Sequence, residues 1–387
     1  MLAARTRRTR RTIFGTGFIA VAALALAATA PAMGSPGHAS AHGQSKSHAA
    51  KPRLSHVFII MEENRAQDHV IGDPNLPYLN SLATKYNQAT QYYGVTHTSE
   101  PNYIASTSGS NWDINNDNGW NTTPANHYDH TNIVDSLEAA HVNWDAYMDG
   151  MPSAGYLPDQ WPATGGALYA SKHNPFALYN DVRDNAARMS HVKPINSLTS
   201  DLNSPHAPRY VWISPNMCND MHGGVYSPIA GHPETDHCGY NDTNDDPADV
   251  ALKQNADAFL KTTVNTIMHS KAWTPGSVIF ITADENDYDA TNPSTGDYLS
   301  AAGCCDSPVL PAGDPAVSPT WPGGVYGGGL IPMVVVTENG PRQVMDDTAY
   351  NHYSMLLTIE EGLGLPKLGF TSDSQQVKPM WSLISKH

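Results

Sequence analysis

Positive charge is scarce in this chain. Only 22 of its 387 residues are Lys or Arg, against 37 Asp and Glu. Charged residues together reach 15%, well below the usual quarter. A net charge of −15 repels DNA, RNA and anionic membranes, so nucleic acid is not an expected partner. Cysteine is scarcer still, with Cys218, Cys238, Cys304 and Cys305 alone, and no C-x-x-C spacing supports a thiolate zinc site. An even number in an exported chain favours disulfides. Cys218 with Cys238 closes a modest loop, and the adjacent Cys304 and Cys305 permit a vicinal bond, with cross-pairing left open. After the N-terminal segment no run is long and apolar enough to span a bilayer. No internal repeat is present.

What the chain does have begins with an export signal. Arg5, Arg7, Arg8, Arg10 and Arg11 precede an apolar stretch from Ile13 to Ala28, followed by small residues at Ala30-Pro31-Ala32 and Ala39-Ser40-Ala41. A signal peptide over 1–32, or to 41, is expected, of Sec or twin-arginine type. Residues 33–53, rich in Gly, Ser, His, Ala and Lys, read as a flexible leader. Residues 54–387 read as one domain, and the product is expected to be secreted.

Four apolar, β-branched runs read as buried strands: His56–Met61, Tyr210–Ser214, Val278–Thr282 and Ile331–Val336. Helical patterns cover Asn132–His141, Pro175–Met189, Pro247–Lys271 and His352–Leu363. Asp246-Pro247 suits a helix start, and Gly362 and Gly364 suit the last helix end. Alternating strands and helices imply an α/β class with a mostly parallel sheet. Segments 109–130, 215–245 and 286–328 are long polar connections, a length usual for functional loops.

The residues that follow the strands carry the chemistry. Glu62-Glu63-Asn64-Arg65 follows the first, Asn216 through Asp220 and His222 the second, and Asp284-Glu285-Asn286-Asp287 the third. Ligands of open α/β sheets sit at the carboxyl ends of strands. Carboxylates gathered there repel unless a cation holds them, so a divalent metal is expected. A fourth element, His97-Thr98-Ser99-Glu100-Pro101-Asn102, places Pro in a first helical turn and Ser99 at the helix N-terminus, where an anion is favoured. Ser106, Thr107 and Ser108 are rival hydroxyls, and a simple N-cap serine is an equal reading of these residues alone.

The stretches HVFIIMEENRAQDHVIG (56–72), HTSEPNYIASTSGS (97–110), YVWISPNMCNDMHG (210–223), VIFITADENDYD (278–289) and NHYSMLLTIEEGLGLPKLG (351–369) resemble the bacterial phosphoesterase family of acid phosphatases and non-haemolytic phospholipases C. That family belongs to the alkaline phosphatase superfamily, and the resemblance spans nearly the whole chain after the leader. It implies a three-layer sandwich with helices on both faces of the sheet. It also implies one or two divalent ions (Ca, Mg, Mn or Zn) held by Glu63, Asn64, Ser99, Asp284 and Glu285, with Asp220 toward a second ion. Ser99 is the implied nucleophile of a double displacement through phosphoserine. Asn102 is an implied donor to a phosphoryl oxygen, and His222 and His352 hold phosphate, protonate the leaving group or bind a second metal. His97 is a further candidate for phosphate contact, with a partly buried loop histidine as the equal reading. The expected activity is phosphomonoester hydrolysis of the acid-phosphatase type, on a small phosphate ester or a phospholipid head group. The alternatives are a phospholipase C-type diesterase and a non-catalytic metal- or ligand-binding exoprotein. The Asp113–Gly119 run lacks the spacing of a calcium loop and reads as a polar turn. His232 and His237 read as loop residues, and the aromatic residues before 170 as packing.

Overall fold

The computed structural model describes residues 53–241, 243–287, 302–308 and 327–385. The expected signal peptide and the leader as far as residue 52 lie outside the described residues, as does most of the 286–328 connection. In chain order the strands are β1 (Val57–Glu62), β2 (Asn87–Ala89), β3 (Tyr92–Tyr93), β4 (Trp144–Met148), β5 (Gln160–Trp161), β6 (Tyr169–Ala170), β7 (Val192–Pro194), β8 (Tyr210–Ser214), β9 (Val278–Ala283), β10 (Met333–Thr337), β11 (Met345–Asp346) and β12 (Tyr350–Asn351). The α-helices are α1 (Pro77–Lys85), α2 (Ser99–Ser108), α3 (Ile133–Ala139), α4 (Asn180–Arg183), α5 (Ala186–Met189), α6 (Leu198–Leu202), α7 (Pro247–Met268), α8 (His352–Leu363) and α9 (Gly369–Asp373).

Eight strands form one sheet in the order β11-β2-β10-β9-β1-β8-β4-β7. Strand β1 lies at its heart, parallel to β8 and β9, and β4 and β7 continue the same direction. Strand β10 runs against both of its neighbours. The fourth expected strand is therefore present but reversed. A continuous apolar run reports burial on both faces and carries no information about direction.

Alternation along β1 feeds two cores. Val57, Ile59 and Met61 pack on one side with Tyr103 and Ile104 of α2 and Met355 and Ile359 of α8. Phe58 and Ile60 pack on the other with Leu260, Val264 and Ile267 of α7 and Leu79 and Leu82 of α1. Each such fully buried aliphatic side chain contributes about 1.5–3 kcal/mol. Helices thus cover both faces of a mostly parallel sheet, the expected three-layer α/β arrangement.

Capping explains several helix limits. The Asp246 side chain accepts from Ala248 N–H ahead of α7. Asn351 accepts from Tyr353 N–H at the start of α8, and Gly364 closes that helix in the left-handed region, at φ 74°. The helix expected over Pro175–Met189 is broken instead into a turn, α4 and α5. Asn185 takes the N–H groups of Ala187 and Arg188 and so begins α5 afresh.

Candidate active site

Because β1, β8 and β9 are parallel, the residues after them meet at one edge of the sheet. Glu63 and Asn64 leave β1, Asp284 and Glu285 leave β9, and Asp220 and His222 lie in the turn after β8. Asn64 sits in the left-handed region, at φ 38°, a conformation Asn tolerates better than most residues. Its N–H donates to Asp284 Oδ1 at 3.2 Å, and its carbonyl accepts from Arg65 Nη1 at 2.6 Å. Arg65 is itself buried against Asp249, which pairs with Lys253, which pairs in turn with Asp73. This chain of buried charge fixes the peptide that carries Asn64.

Helix α2 delivers the serine. Thr98 is the N-cap and Ser99 the first helical residue. Ser99 Oγ lies 3.0 Å from Glu63 Oε2 and 3.2 Å from Glu285 Oε1. The rival hydroxyls are spent on the helix itself: Ser106 and Thr107 donate to Tyr103 O, and Ser108 to Ile104 O. Thr98 Oγ1 donates to Asp117 at 2.7 Å, and the same Asp117 oxygen accepts from Glu100 N–H. Asp117 therefore fills one of the open N–H positions of the first turn. Glu100 holds that loop in place by accepting from Gly119 N–H, Asn126 and Tyr128.

Asn102 is not free to donate to a phosphoryl oxygen. Its Oδ1 accepts from Val95 and Thr96 N–H, and its two amide hydrogens go to Thr96 O and Thr98 O. An amide has two donor hydrogens, and both are used in pinning the backbone ahead of Ser99.

A second group flanks Glu63. His173, from the single turn Ser171–His173, places Nε2 3.1 Å from Glu63 Oε1 and Nδ1 3.3 Å from Asp220 Oδ2. These are ion-pair distances without hydrogen-bond alignment, so Glu63 Oε1, His173 Nε2 and Asp220 Oδ2 stay without hydrogen-bond partners. The His173 ring stacks on Tyr103, 5.3 Å between centroids and 7° between planes. Glu63, His173 and His222 offer ligand atoms within 4.8 Å of one another.

His222 carries its ring proton on Nδ1. Its Nδ1 donates to Gly223 O at 2.7 Å, which leaves Nε2 as an acceptor, 3.3 Å from Lys172 Nζ. Burial, and then the Lys172 charge, pushes its pKa down to about 3, so the ring is neutral. Burial works against the Lys172 ammonium, but Asp117 and Glu63 raise its pKa above the ordinary lysine value. Lys172 pairs with Asp117 at 3.0 Å. Two of its three N–H groups are engaged among the described residues.

His352 also stands apart. It is buried, with Nδ1 3.1 Å from the Tyr92 hydroxyl and Nε2 donating to Asp284 O at 2.6 Å. It reaches the cluster only through the backbone of Asp284. His97 Nδ1 pairs with Glu285 Oε2 and thus fixes that carboxylate. His232 pairs with Glu234 on the surface, away from the cluster.

The cluster has the chemistry of a cation site. Glu63 Oε1, Asn64 Oδ1, Asp220 Oδ2 and Asp284 Oδ2 are buried oxygens with no hydrogen-bond partner, an arrangement that costs free energy unless something positive fills it. Burial raises the carboxyl pKa values of Glu63, Asp220, Asp284 and Glu285. Repulsion from Asp284 and Asp220 adds to this at Glu63, and repulsion from Glu285 at Asp284. The single Ser99 proton cannot serve Glu63 and Glu285 together, so a second proton or a cation belongs between them.

The sequence reading missed His173, Lys172 and Asp117. The first two lie in one turn between β6 and a second short turn, where no periodicity marks them. Asp117 could have been found from its place in a polar loop of fixed turns, though nothing there points to Ser99.

Residues 73–366 match the model of the Phosphoesterase family. The phosphate-repressible acid phosphatase of Penicillium chrysogenum is 28% identical over 295 residues, which cover 75% of this chain and 55% of that protein. The phosphatidylinositol-3-phosphatase of Mycobacterium tuberculosis is 24% identical over 333 residues, covering 86% of this chain and 85% of that one. The chain spans little more than half the length of the fungal acid phosphatases it matches. A solved Bacteroides thetaiotaomicron protein from a glycosaminoglycan-metabolising locus shares the fold at a TM-score of 0.50 and 10% identity, covering 87% and 82% of the two chains. A Vibrio parahaemolyticus protein in the alkaline phosphatase superfamily aligns at a TM-score of 0.48 and 13% identity, covering 86% and 70%.

Proposed function

Because the chain belongs to the Phosphoesterase family, we propose that it hydrolyses phosphate monoesters with Ser99 as the nucleophile. The observation that carries this reading is Ser99 Oγ at a helix N-terminus between two buried carboxylates. Glu63, Asn64, Ser99, Asp284 and Glu285 would hold a divalent cation, with Asp220, His173 and His222 at hand for a second. When bound, such an ion supplies charge compensation and Lewis acidity for phosphoryl transfer. Its oxygen-rich ligands suit Ca, Mg, Mn or Zn.

The residues then divide the work. Ser99 Oγ passes its proton to Glu63 or Glu285 and attacks phosphorus in line. The bond from phosphorus to the alcohol oxygen breaks, its electron pair leaves with that oxygen, and the proton that the carboxyl took from Ser99 completes the alcohol. The Lys172 ammonium would offset the charge that develops there. Water gives a proton to the freed carboxylate and attacks the phosphoserine; the Ser99 oxygen leaves phosphorus and takes that proton back, and phosphate is released. His97, Asn102 and His352 position Glu285, the loop before Ser99 and the Asp284 backbone.

Beside the buried cluster, Thr98, Asp117, Lys172 and His222 are part-exposed. The acid phosphatases among its relatives favour a monoester over the phospholipase C-type diester. The N-terminal segment supports export, and the disulfides Cys218–Cys238 and Cys304–Cys305 suit an oxidising compartment. No helix among the described residues is long and apolar enough to cross a membrane.

The test is turnover of an aryl monophosphate, an aryl phosphorylcholine diester and a phospholipid, with and without chelator. Monoester turnover that chelator abolishes and divalent ions restore is expected, with Ser99→Ala lowering kcat by at least about 10³-fold and leaving the melting temperature unchanged. Preference for the diester would move the reading to a phospholipase C. Inertness toward all three substrates would leave a binding protein.

A further inference from the structure

A cavity of about 210 Å³ lies between the loop 117–122 and the segment 159–172, and the reaction above leaves it unused. Asn118, Thr122, Gln160, Ala167, Met217 and Lys172 are among its walls. It adjoins the part-exposed side of the cluster. Glu63, Ser99, Asp220, Asp284 and Glu285 are buried, whereas Asp117 and Lys172 are part-exposed and line the cavity as well. Asp117 also binds Thr98 Oγ1 and Glu100 N–H on either side of Ser99. An ester whose phosphate is seated at Ser99 therefore has its alcohol directed here.

The walls describe that alcohol. Ala167, Met217 and the Lys172 stem form an apolar floor. The Asn118 carboxamide and the Thr122 hydroxyl make no hydrogen bond among the described residues. Gln160 spends its Nε2 on Pro162 O and Ala163 O, which leaves its carbonyl oxygen open. No aromatic ring lines the cavity, so it holds no cage for a quaternary ammonium. Its volume falls below the roughly 300 Å³ at which pockets for drug-sized ligands begin, which leaves no room for acyl chains. A compact ring with C–H faces and hydroxyl edges satisfies the floor and the open polar groups together.

We propose that this cavity is the leaving-group subsite and that it selects phosphate monoesters of compact polyhydroxylated alcohols, such as sugar or cyclitol phosphates. The proposal rests on the reading of Ser99 as nucleophile. The measurement is kcat/KM for a hexose phosphate, p-nitrophenyl phosphate and acetyl phosphate, whose leaving group is too small to fill the cavity. Ala167→Trp fills the cavity without touching the catalytic cluster. It is expected to lower the hexose phosphate value at least about tenfold and to leave acetyl phosphate within about twofold. Asn118→Leu removes a hydrogen-bonding group without adding bulk. It is expected to lower the hexose phosphate value about three- to tenfold, with p-nitrophenyl phosphate unchanged. Unchanged hexose phosphate kinetics in Asn118→Leu, or an equal loss on all three substrates in a folded Ala167→Trp protein, would overturn the subsite and leave Ser99 in place. A wild-type protein inert toward all three would overturn the Ser99 reading, and the subsite with it.

Discussion

Asn102 carries four hydrogen bonds, all to the backbone of residues 95–98. That loop has no regular partner, so the carboxamide takes the place of a ladder. Asn102→Ala should cost about 2–4 kcal/mol in urea unfolding, the range for losing several buried bonds at once, and should lower turnover as well. A residue that only touched a phosphoryl group would leave the unfolding midpoint where it was. At this scale the sequence is legible for residue type and blind to orientation. An Asn three places after a helix-opening serine reads equally as a substrate donor or as a brace, and only the direction of its side chain decides. The same holds for His352, whose ring turns toward Tyr92 and the Asp284 carbonyl.

Segments are positioned by ties that cross the sheet edge. The Cys218–Cys238 disulfide joins the turn after β8 to the loop before α7, across 20 residues. Gly224 and Val225 N–H both donate to Cys238 O beside it. Asp220 and His222 lie inside the closed loop, and His222 meets Lys172. Cys238→Ser should lower stability by about 3 kcal/mol, as expected for a loop of this length. It should also lower kcat/KM, because His222 and Lys172 lose their mutual register. Thermal melts and kinetics with and without reductant check both effects, and a stability loss with unchanged kinetics would separate the disulfide from the site. Strands β1, β8 and β9 were legible because their apolar runs are unbroken and each is followed by polar residues. Strand β4 was not, since Asp145 interrupts its run and pairs with His191 and Lys193 at the sheet edge. The Ser171–His173 turn has no period to read, and it supplies the two basic groups the sequence reading lacked.

The whole molecule combines an acidic surface with acids sealed inside. Glu360 in α8 is buried, accepts from Leu368 N–H at 3.0 Å and leaves Oε2 without a partner. Burial pushes its carboxyl up to about 8 from an ordinary 4.5. Folding therefore takes up a proton between those values. The associated stability is full below about pH 4.5 and is lost as pH rises toward 8. Glu360→Gln keeps the oxygen for Leu368 and removes the titration. Its stability at pH 8 should exceed that of the wild type by on the order of a few kcal/mol, read as a higher melting temperature, and converge with it at pH 5. Parallel pH profiles for the two proteins would mean that Glu360 is ionised throughout. The α/β class was legible from alternation and the three-layer plan from the family resemblance, whereas the reversal of β10 was not, because burial alone sets its composition. Ionic strength acts unevenly on such a body. Arg65, Asp249 and Lys253 are 0–1% exposed and Asp73 6%, out of reach of an ion atmosphere that screens over about 8 Å in physiological salt. The Lys172–Asp117 pair, 19% and 27% exposed, stands within it. Salt therefore loosens the doorway of the site and leaves the clasp behind Asn64 untouched.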